Sequence, residues 1–146
     1  MAPEIKEFMR SVINEMMPAH KLLGITLQDI DAGYALLSLP FRPELIGDPR
    51  SQRLHGGVIA AILDSAGGAA AMTTLSSPED LLASIDIRID YLEPGRTEDV
   101  LAEGKLHRNG KAIIMTSMRA WHAASGTTIA EARGVYRVRR KEDGKT

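Results

Sequence analysis

One acidic residue, Asp64, lies within the otherwise apolar and small-residue stretch RLHGGVIAAILDSAGGAAAM of residues 53–72. The residues three and four positions away, which would share its face of a helix, are Ala60, Ala61, Gly67 and Gly68. A solvent-exposed helix face would normally carry several charges, and this one carries a single acid. Removing a carboxylate from water is unfavourable, and proteins retain such groups mainly where chemistry needs an acid, a base or a nucleophile. Asp64 is therefore the first candidate catalytic residue.

The second feature that could do chemistry is His55-Gly56-Gly57, immediately before the apolar run. The first amides of a helix have no intrahelical partner, and they lie at the positive end of the helix dipole. Glycines leave these N–H groups unshielded, so that they can bind a developing oxyanion. We therefore predict an oxyanion hole at Gly56 and Gly57, with Asp64 acting as general base or nucleophile.

These residues require a long helix to position them, and the apolar run predicts one from about Gly57 to Thr74. Before it, apolar residues at helical spacing predict an amphipathic N-terminal helix over about residues 4–17, ended near Pro18. The stretch LLGITLQDIDAGYALLSLPF predicts two short strands that meet at a turn around Gly33. Two prolines and scattered charges indicate a loop in RPELIGDPRSQR.

The segments after the long helix alternate apolar and polar residues, which is typical of half-buried strands. LASIDIRIDYL is the first of them, and Asn109-Gly110 supplies the turn of a hairpin in EDVLAEGKLHRNGKAIIMTSMRAWHA. TTIAEARGVYRVRR is the last strand, and a polar tail follows at about residues 141–146. One very apolar helix beside an antiparallel sheet predicts an α+β fold in which the sheet curls around the helix.

The length and composition of the chain exclude several classes of protein and of catalytic site. A length of 146 residues, with 44% hydrophobic and 25% charged residues, predicts a single globular domain over residues 1–146. The net charge of −1 does not favour nucleic acid as a partner, and the absence of Cys excludes a Cys nucleophile and thiolate metal sites. No signal peptide is visible, and Val58–Leu75 is too weakly apolar to span a membrane. We expect a cytoplasmic protein that does not contact membranes.

The remaining histidines and acids carry weaker signals. The histidines without metal-ligand spacing, which we predict to be surface residues, are His20, His107 and His122. We expect no metal site. A Ser-His-Asp hydrolase is the competing chemistry, but the sequence has no G-x-S-x-G nucleophile elbow. It also has no phosphate-binding loop or dinucleotide fingerprint.

The motif HGGVIAAILDSAGGAAA resembles the hotdog-fold acyl-CoA thioesterases, particularly their phenylacetate-type branch, in which His-Gly-Gly is followed by six residues and then Asp. A second stretch, ASIDIRIDYLEPG, resembles the strand that follows the family's central helix. The resemblance extends over about residues 20–140. It implies a hotdog fold, in which the curled antiparallel sheet wraps around the long helix, with the N-terminal helix as an addition.

The resemblance also assigns roles to individual residues. Asp64 matches the catalytic acid, and Gly57, with Gly56 beside it, matches the oxyanion-hole glycine. His55 matches the residue that holds this loop and the thioester carbonyl. Ser84 falls where some relatives have a hydroxyl that positions the attacking water.

In one respect the sequence departs from the pattern, because relatives often carry Asn a few residues before the His. This loop reads GDPRSQRL, in which Asp48 and Gln52 are imperfect substitutes, and Gln52 is the substrate-positioning candidate. The basic residues that we expect to contact the phosphates of coenzyme A are Arg88, Arg108, Lys111 and Arg137.

The resemblance implies hydrolysis of acyl-CoA to the free acid and coenzyme A, with no cofactor. The alternative is a non-catalytic acyl-CoA-binding or sensor module of the same fold, and a hotdog dehydratase matches the motif less well. The apolar lining of the motif suggests a medium-to-long or aromatic acyl group.

The spacing of the motif also predicts a shared active site. Asp64 lies seven residues after Gly57, so the two are about 10 Å apart along one helix. One straight helix cannot easily present both groups to the same carbonyl, whereas two antiparallel copies can. We therefore expect a homodimer with two shared sites, assembled as a dimer of dimers. The small residues at 66–71 would let the helix of a second chain approach closely.

Overall fold

A computed structural model describes residues 1–141 of the chain. Three helices and eight strands follow one another in chain order. The helices are α1 (Pro3–Ser11), α2 (Pro18–Leu23) and α3 (Gly56–Met72). The strands are β1 (Thr26–Asp31), β2 (Tyr34–Leu39), β3 (Ile46–Asp48), β4 (Arg53–Leu54), β5 (Leu81–Tyr91), β6 (Val100–Asn109), β7 (Ile113–His122) and β8 (Thr128–Arg139).

Six strands form one antiparallel sheet in the order β1-β2-β6-β7-β8-β5. The apolar residues that alternate along each strand face α3, which packs against β2, β6 and β7. Gly104 of β6 allows the closest approach, because a side chain there would collide with the backbone of Ala66. The predicted α+β architecture, with a sheet around one long helix, is confirmed.

The N-terminal region differs from the single helix predicted over residues 4–17. Helix α1 ends at Ser11, a π-helical segment follows at Val12–Met16, and α2 begins at Pro18. Proline favours an extended conformation in the residue before it, and Met17 has φ −91° and ψ 106°. Proline is also well suited to the first turn of a helix, where no backbone N–H donor is needed. Pro18 therefore starts a second helix as well as interrupting the first.

Other boundaries move by a few residues. Leu22 and Leu23 belong to α2, so the first strand starts at Thr26, and its turn to β2 contains Gly33 at φ 71° as predicted. The loop RPELIGDPRSQR includes a 3-10 turn and most of a small hairpin, β3 with β4. The hairpin turn of β6 and β7 lies at residues 110–112. Of the predicted polar tail, only Lys141 is among the described residues.

Candidate functional site

Asp64 lies near the middle of α3, half-buried where the helix faces β5. The hydroxyl of Ser84 donates a hydrogen bond of 2.8 Å to Asp64 Oδ1. Ser84 can reach the carboxylate because it pairs with the inward-facing Tyr136 of β8, immediately before an irregularity in the β5 register at Ser84/Asp86. The two polar residues that sequence analysis placed in different elements therefore form one hydrogen-bonded pair.

A buried tyrosine completes the surroundings of this carboxylate. The Tyr136 hydroxyl lies 3.2 Å from the backbone oxygen of Asp64 and 3.4 Å from its Oδ1. Burial raises the pKa of Tyr136, and the Asp64 carboxylate beside it raises this pKa further. Its hydroxyl is therefore protonated at neutral pH and acts as a donor to Asp64. Sequence analysis missed Tyr136, although the alternation of β8 places it on the helix-facing side with Gly134 and Val138.

The start of α3 is organised by His55, which is its N-cap residue. His55 Nδ1 accepts a hydrogen bond of 2.9 Å from the Gly57 amide, so the neutral ring carries its proton on Nε2. The Gly56 amide precedes the intrahelical hydrogen bonds and has no acceptor among residues 1–141. The hydroxyl of Tyr91, at the end of β5, donates to the Gly56 carbonyl at 2.8 Å. At the start of α3, the Gly56 N–H can therefore donate a hydrogen bond to a ligand.

An apolar cavity of about 370 Å³ opens beside Asp64 and Ser84. One wall is α3 at Ala61, Gly68, Ala69 and Met72, and the opposite wall is the N-terminal segment at Ile13, Met17 and Leu23. A carboxylate and a hydroxyl at the edge of an apolar cavity can hold a water molecule against a reacting group whose hydrocarbon part lies inside.

A family model described as the thioesterase superfamily matches residues 52–129, which is more than half of the chain and includes Asp64, Ser84 and the glycines. The chain belongs to the thioesterase superfamily. It is 32% identical over 134 residues to the medium/long-chain acyl-CoA thioesterase YigI of Escherichia coli K12, covering 84% of this chain and 86% of YigI.

Solved structures of thioesterase-superfamily proteins show the same architecture. A Shewanella oneidensis protein related to the superfamily is 32% identical, with a TM-score of 0.84 over 93% of this chain and 96% of that one. The Escherichia coli PaaI protein from the phenylacetic acid degradation operon is 20% identical, with a TM-score of 0.81 over 93% and 95% of the two chains. The hotdog fold implied by the sequence motif is confirmed.

A histidine that the sequence analysis predicted on the surface lies in the wall of the cavity beside Asp64. His20 is buried, and its Nδ1 donates to the Ile13 carbonyl at 3.0 Å. Its Nε2 therefore accepts from the Ser65 hydroxyl at 2.9 Å, which joins α2 to α3. His122 is also buried and accepts from the Arg96 amide, whereas His107 is exposed as predicted. The surface prediction fails for both: each ring nitrogen of His20 has a hydrogen-bond partner, whereas His122 Nδ1 is buried without one among the described residues.

Other predicted site residues lie away from Asp64 within one chain. Gln52 is exposed at φ 52°, and its side chain donates to the Pro49 carbonyl at 2.7 Å in its own turn. Arg88 lies on the outer sheet face, 3.4 Å from Asp90 in an ion pair, and Arg137 is exposed on β8. Arg108 and Lys111 flank the β6–β7 hairpin. None of these lines the cavity beside Asp64, and their contact with coenzyme A stays a prediction.

The small residues at 66–71 have a different role from the one expected. Ala66, Gly67, Ala70 and Ala71 are buried within this chain, and Ala69 is buried in the cavity wall, so these residues leave no surface for a second helix. A side chain at Gly67 would collide with the Tyr136 hydroxyl. Gly68 alone of this set is partly exposed, and it lines the cavity. The close approach that these residues permit is therefore between helix and sheet.

Two kinds of site are absent from residues 1–141, the described part of the chain. No cluster of three or more His, Asp or Glu side chains that could hold a metal ion is present in this part of the chain. No helix in the same range has the length and apolarity needed to cross a membrane.

Proposed function

We propose that the protein hydrolyses medium- and long-chain acyl-CoA thioesters to the free acid and coenzyme A. The observation that carries this proposal is the Asp64–Ser84 pair, 2.8 Å apart, at the edge of an apolar cavity of about 370 Å³. The similarity to YigI supports the acyl-CoA substrate. Most of the residues that line the cavity are aliphatic or methionine, which suits an alkyl chain.

In the proposed reaction Asp64 has one of two roles. It removes a proton, as general base, from the water molecule that attacks the thioester carbonyl carbon, or it attacks that carbon itself as nucleophile. The hydroxyls of Ser84 and Tyr136 fix the orientation of its carboxylate. As general base, Asp64 takes the proton from water while the new C–O bond forms. The C–S bond then breaks, and the same proton is delivered to the departing thiolate of coenzyme A.

The oxyanion formed during attack requires a hydrogen-bond donor, and the Gly56 amide can supply it. The Gly57 amide is already bound to His55 Nδ1, so His55 fixes the loop and leaves Gly56 to polarise the thioester carbonyl. The positive end of the α3 dipole lies at the same place and favours the developing negative charge.

We propose that this oxyanion donor and the acid come from different chains of a homodimer. Gly56 precedes Asp64 by eight residues, or about 12 Å along α3, which is too far for both to meet one carbonyl. The 11-residue β5 is an edge strand with β8 on one side, and its exposed apolar residues can be covered by the β5 of a second chain. These residues are Leu81, Ile85 and Tyr91, and the exposed Leu92 follows directly after the strand. Pairing of the two dimers into a tetramer stays a prediction.

A panel of acyl-CoA substrates tests the activity. We expect thiol release from chains of about eight carbons and longer, with higher kcat/KM than for acetyl-CoA or phenylacetyl-CoA. The expectation follows from the apolar cavity, because each buried methylene strengthens binding. Binding without release of thiol for every substrate would identify the alternative, a non-catalytic acyl-CoA-binding module.

Mixed dimers test the shared site. Asp64→Asn chains refolded together with Gly56→Pro chains should regain activity, because each mixed dimer contains one site with both native groups. We expect up to half of the wild-type activity per mixed dimer, measured by thiol release after purification of differently tagged chains. Each variant refolded alone is the control. Inactive mixed dimers of verified composition would show that the acid and the oxyanion donor belong to one chain.

A further inference from the structure

A second apolar cavity shares a lining side chain with the cavity beside Asp64. The second cavity has a volume of about 600 Å³ and lies between α1 and the connection from α3 to β5. Met72 lines both cavities. We call the second cavity the α1 groove, defined by Ile5, Phe8, Val12, Met16, Met72 and Leu75.

Several apolar side chains of the α1 groove are largely exposed to solvent. Ile5 is 52% exposed, Phe8 is 59% exposed and Met16 is 67% exposed. Two charged residues also line the groove, and both are paired: the buried Asp80 carboxylate accepts hydrogen bonds from the amides of Ser76 and Lys141, and the Met1 ammonium group pairs with Asp31 at 2.7 Å. The groove therefore suits an uncharged, flexible hydrocarbon.

The π-helical segment and Met72 lie between the two cavities. In the π-helical segment, Ile13 lines the cavity beside Asp64, whereas Val12 and Met16 line the α1 groove. Met72 closes the partition from α3, and methionine is an unbranched side chain that changes rotamer readily. A small movement of Met72 would join the two cavities into one channel.

The length of the first cavity sets how much of an acyl chain it can hold. Met72 follows Asp64 by eight residues, or about 12 Å along α3. An extended alkyl chain advances about 1.3 Å per carbon, given a C–C bond of about 1.5 Å. The first cavity therefore holds about nine carbons, and a longer chain must continue past Met72.

We propose that the α1 groove binds the distal part of long acyl chains, beyond about the tenth carbon. The inference rests on the proposed acyl-CoA thioesterase function and adds a second subsite to it. The occupant is the substrate itself, because the groove continues the cavity in which the reacting end of the chain lies. Chains of eight carbons do not reach the groove, so it separates long from medium substrates.

The test places a charge in the groove of the full-length protein. Phe8→Asp should lower kcat/KM for the 16-carbon substrate about tenfold or more, because each methylene left in water weakens binding up to about fourfold. The same variant should change kcat/KM for the 8-carbon substrate less than about twofold. Leu22→Asp is the matched control, since Leu22 is 76% exposed on α2 and lines neither cavity.

Binding measurements separate failure of this inference from failure of the proposed function. Calorimetry with the non-hydrolysable hexadecyl and octyl thioethers of coenzyme A, below their micelle concentrations, should show weaker binding of the hexadecyl compound alone to Phe8→Asp. Ile5→Asp, at another exposed groove position, is the second variant if Phe8→Asp does not fold.

Equal effects on both chain lengths, or no effect on either, would overturn the proposal whether or not the protein hydrolyses thioesters. A change in oligomer mass without chain-length dependence would also overturn it and identify the groove as a contact between chains. If the wild type shows no turnover but Phe8→Asp still weakens binding of the hexadecyl compound alone, the thioesterase function is rejected and the α1 groove remains a binding site for long acyl chains.

Discussion

Replacing Asp64 with Asn is expected to lower kcat for acyl-CoA hydrolysis at least about 100-fold while the chain remains folded. The substitution preserves the size of the side chain, and the amide oxygen can still accept the hydrogen bond from Ser84 Oγ. What is lost is the negative charge and basicity that either a general base or a nucleophile requires. The loss should therefore appear in kcat for every substrate, irrespective of acyl length.

The matched control is Asp29→Asn, which removes an exposed carboxylate on β1, at the opposite edge of the sheet from β5. It should retain activity within about twofold, because surface charges away from the reacting atoms contribute little. Circular dichroism and thermal unfolding check that both variants fold. Turnover of Asp64→Asn near the wild-type value would remove Asp64 from the reaction.

Gly56→Pro is expected to lower kcat about 100- to 1000-fold, the usual consequence of deleting one oxyanion-hole donor. Proline removes the backbone N–H and little else at this position. It is favoured at the first residue of a helix, and the preceding His55, at φ −65° and ψ 131°, already has the conformation that proline requires before it. Helix α3 should therefore form normally.

Gly56→Ala provides the control, because it adds a side chain and keeps the amide. A Cβ at this position would lie 3.5 Å from the Tyr91 hydroxyl, an ordinary contact, so activity should remain within a few-fold of wild type. A side chain at Gly57 would instead approach His55 Nδ1 to 2.9 Å and displace the cap. Equal activities of the Pro and Ala variants would show that the Gly56 amide does not bind the oxyanion.

The sequence by itself determined the features that depend on neighbouring residues. The boundaries of α3, the N-terminal cap before it and the acid in its apolar run follow from periodicity, capping and glycine chemistry, all of which act over a few residues. The alternation in β5 to β8 is local for the same reason, whereas the hairpin turn predicted at Asn109-Gly110 lies at residues 110–112. These features were sufficient for the α+β fold and for Asp64 with the helix-start glycines as candidates.

Only the tertiary structure decided which side chains meet across the sheet and the helices. Tyr136 lies 72 positions from Asp64 in the chain, and His20 lies 45 positions from Ser65, so no local pattern connects either pair. The first helical stretch ends before Pro18 as predicted, but the sequence analysis did not predict α2, which carries His20 into the cavity wall, or the π-helical segment that lines both cavities. Such contacts depend on strand register and on the packing of elements that are distant in the chain. Residue types within one element do not determine either of these, because both are set by the whole fold.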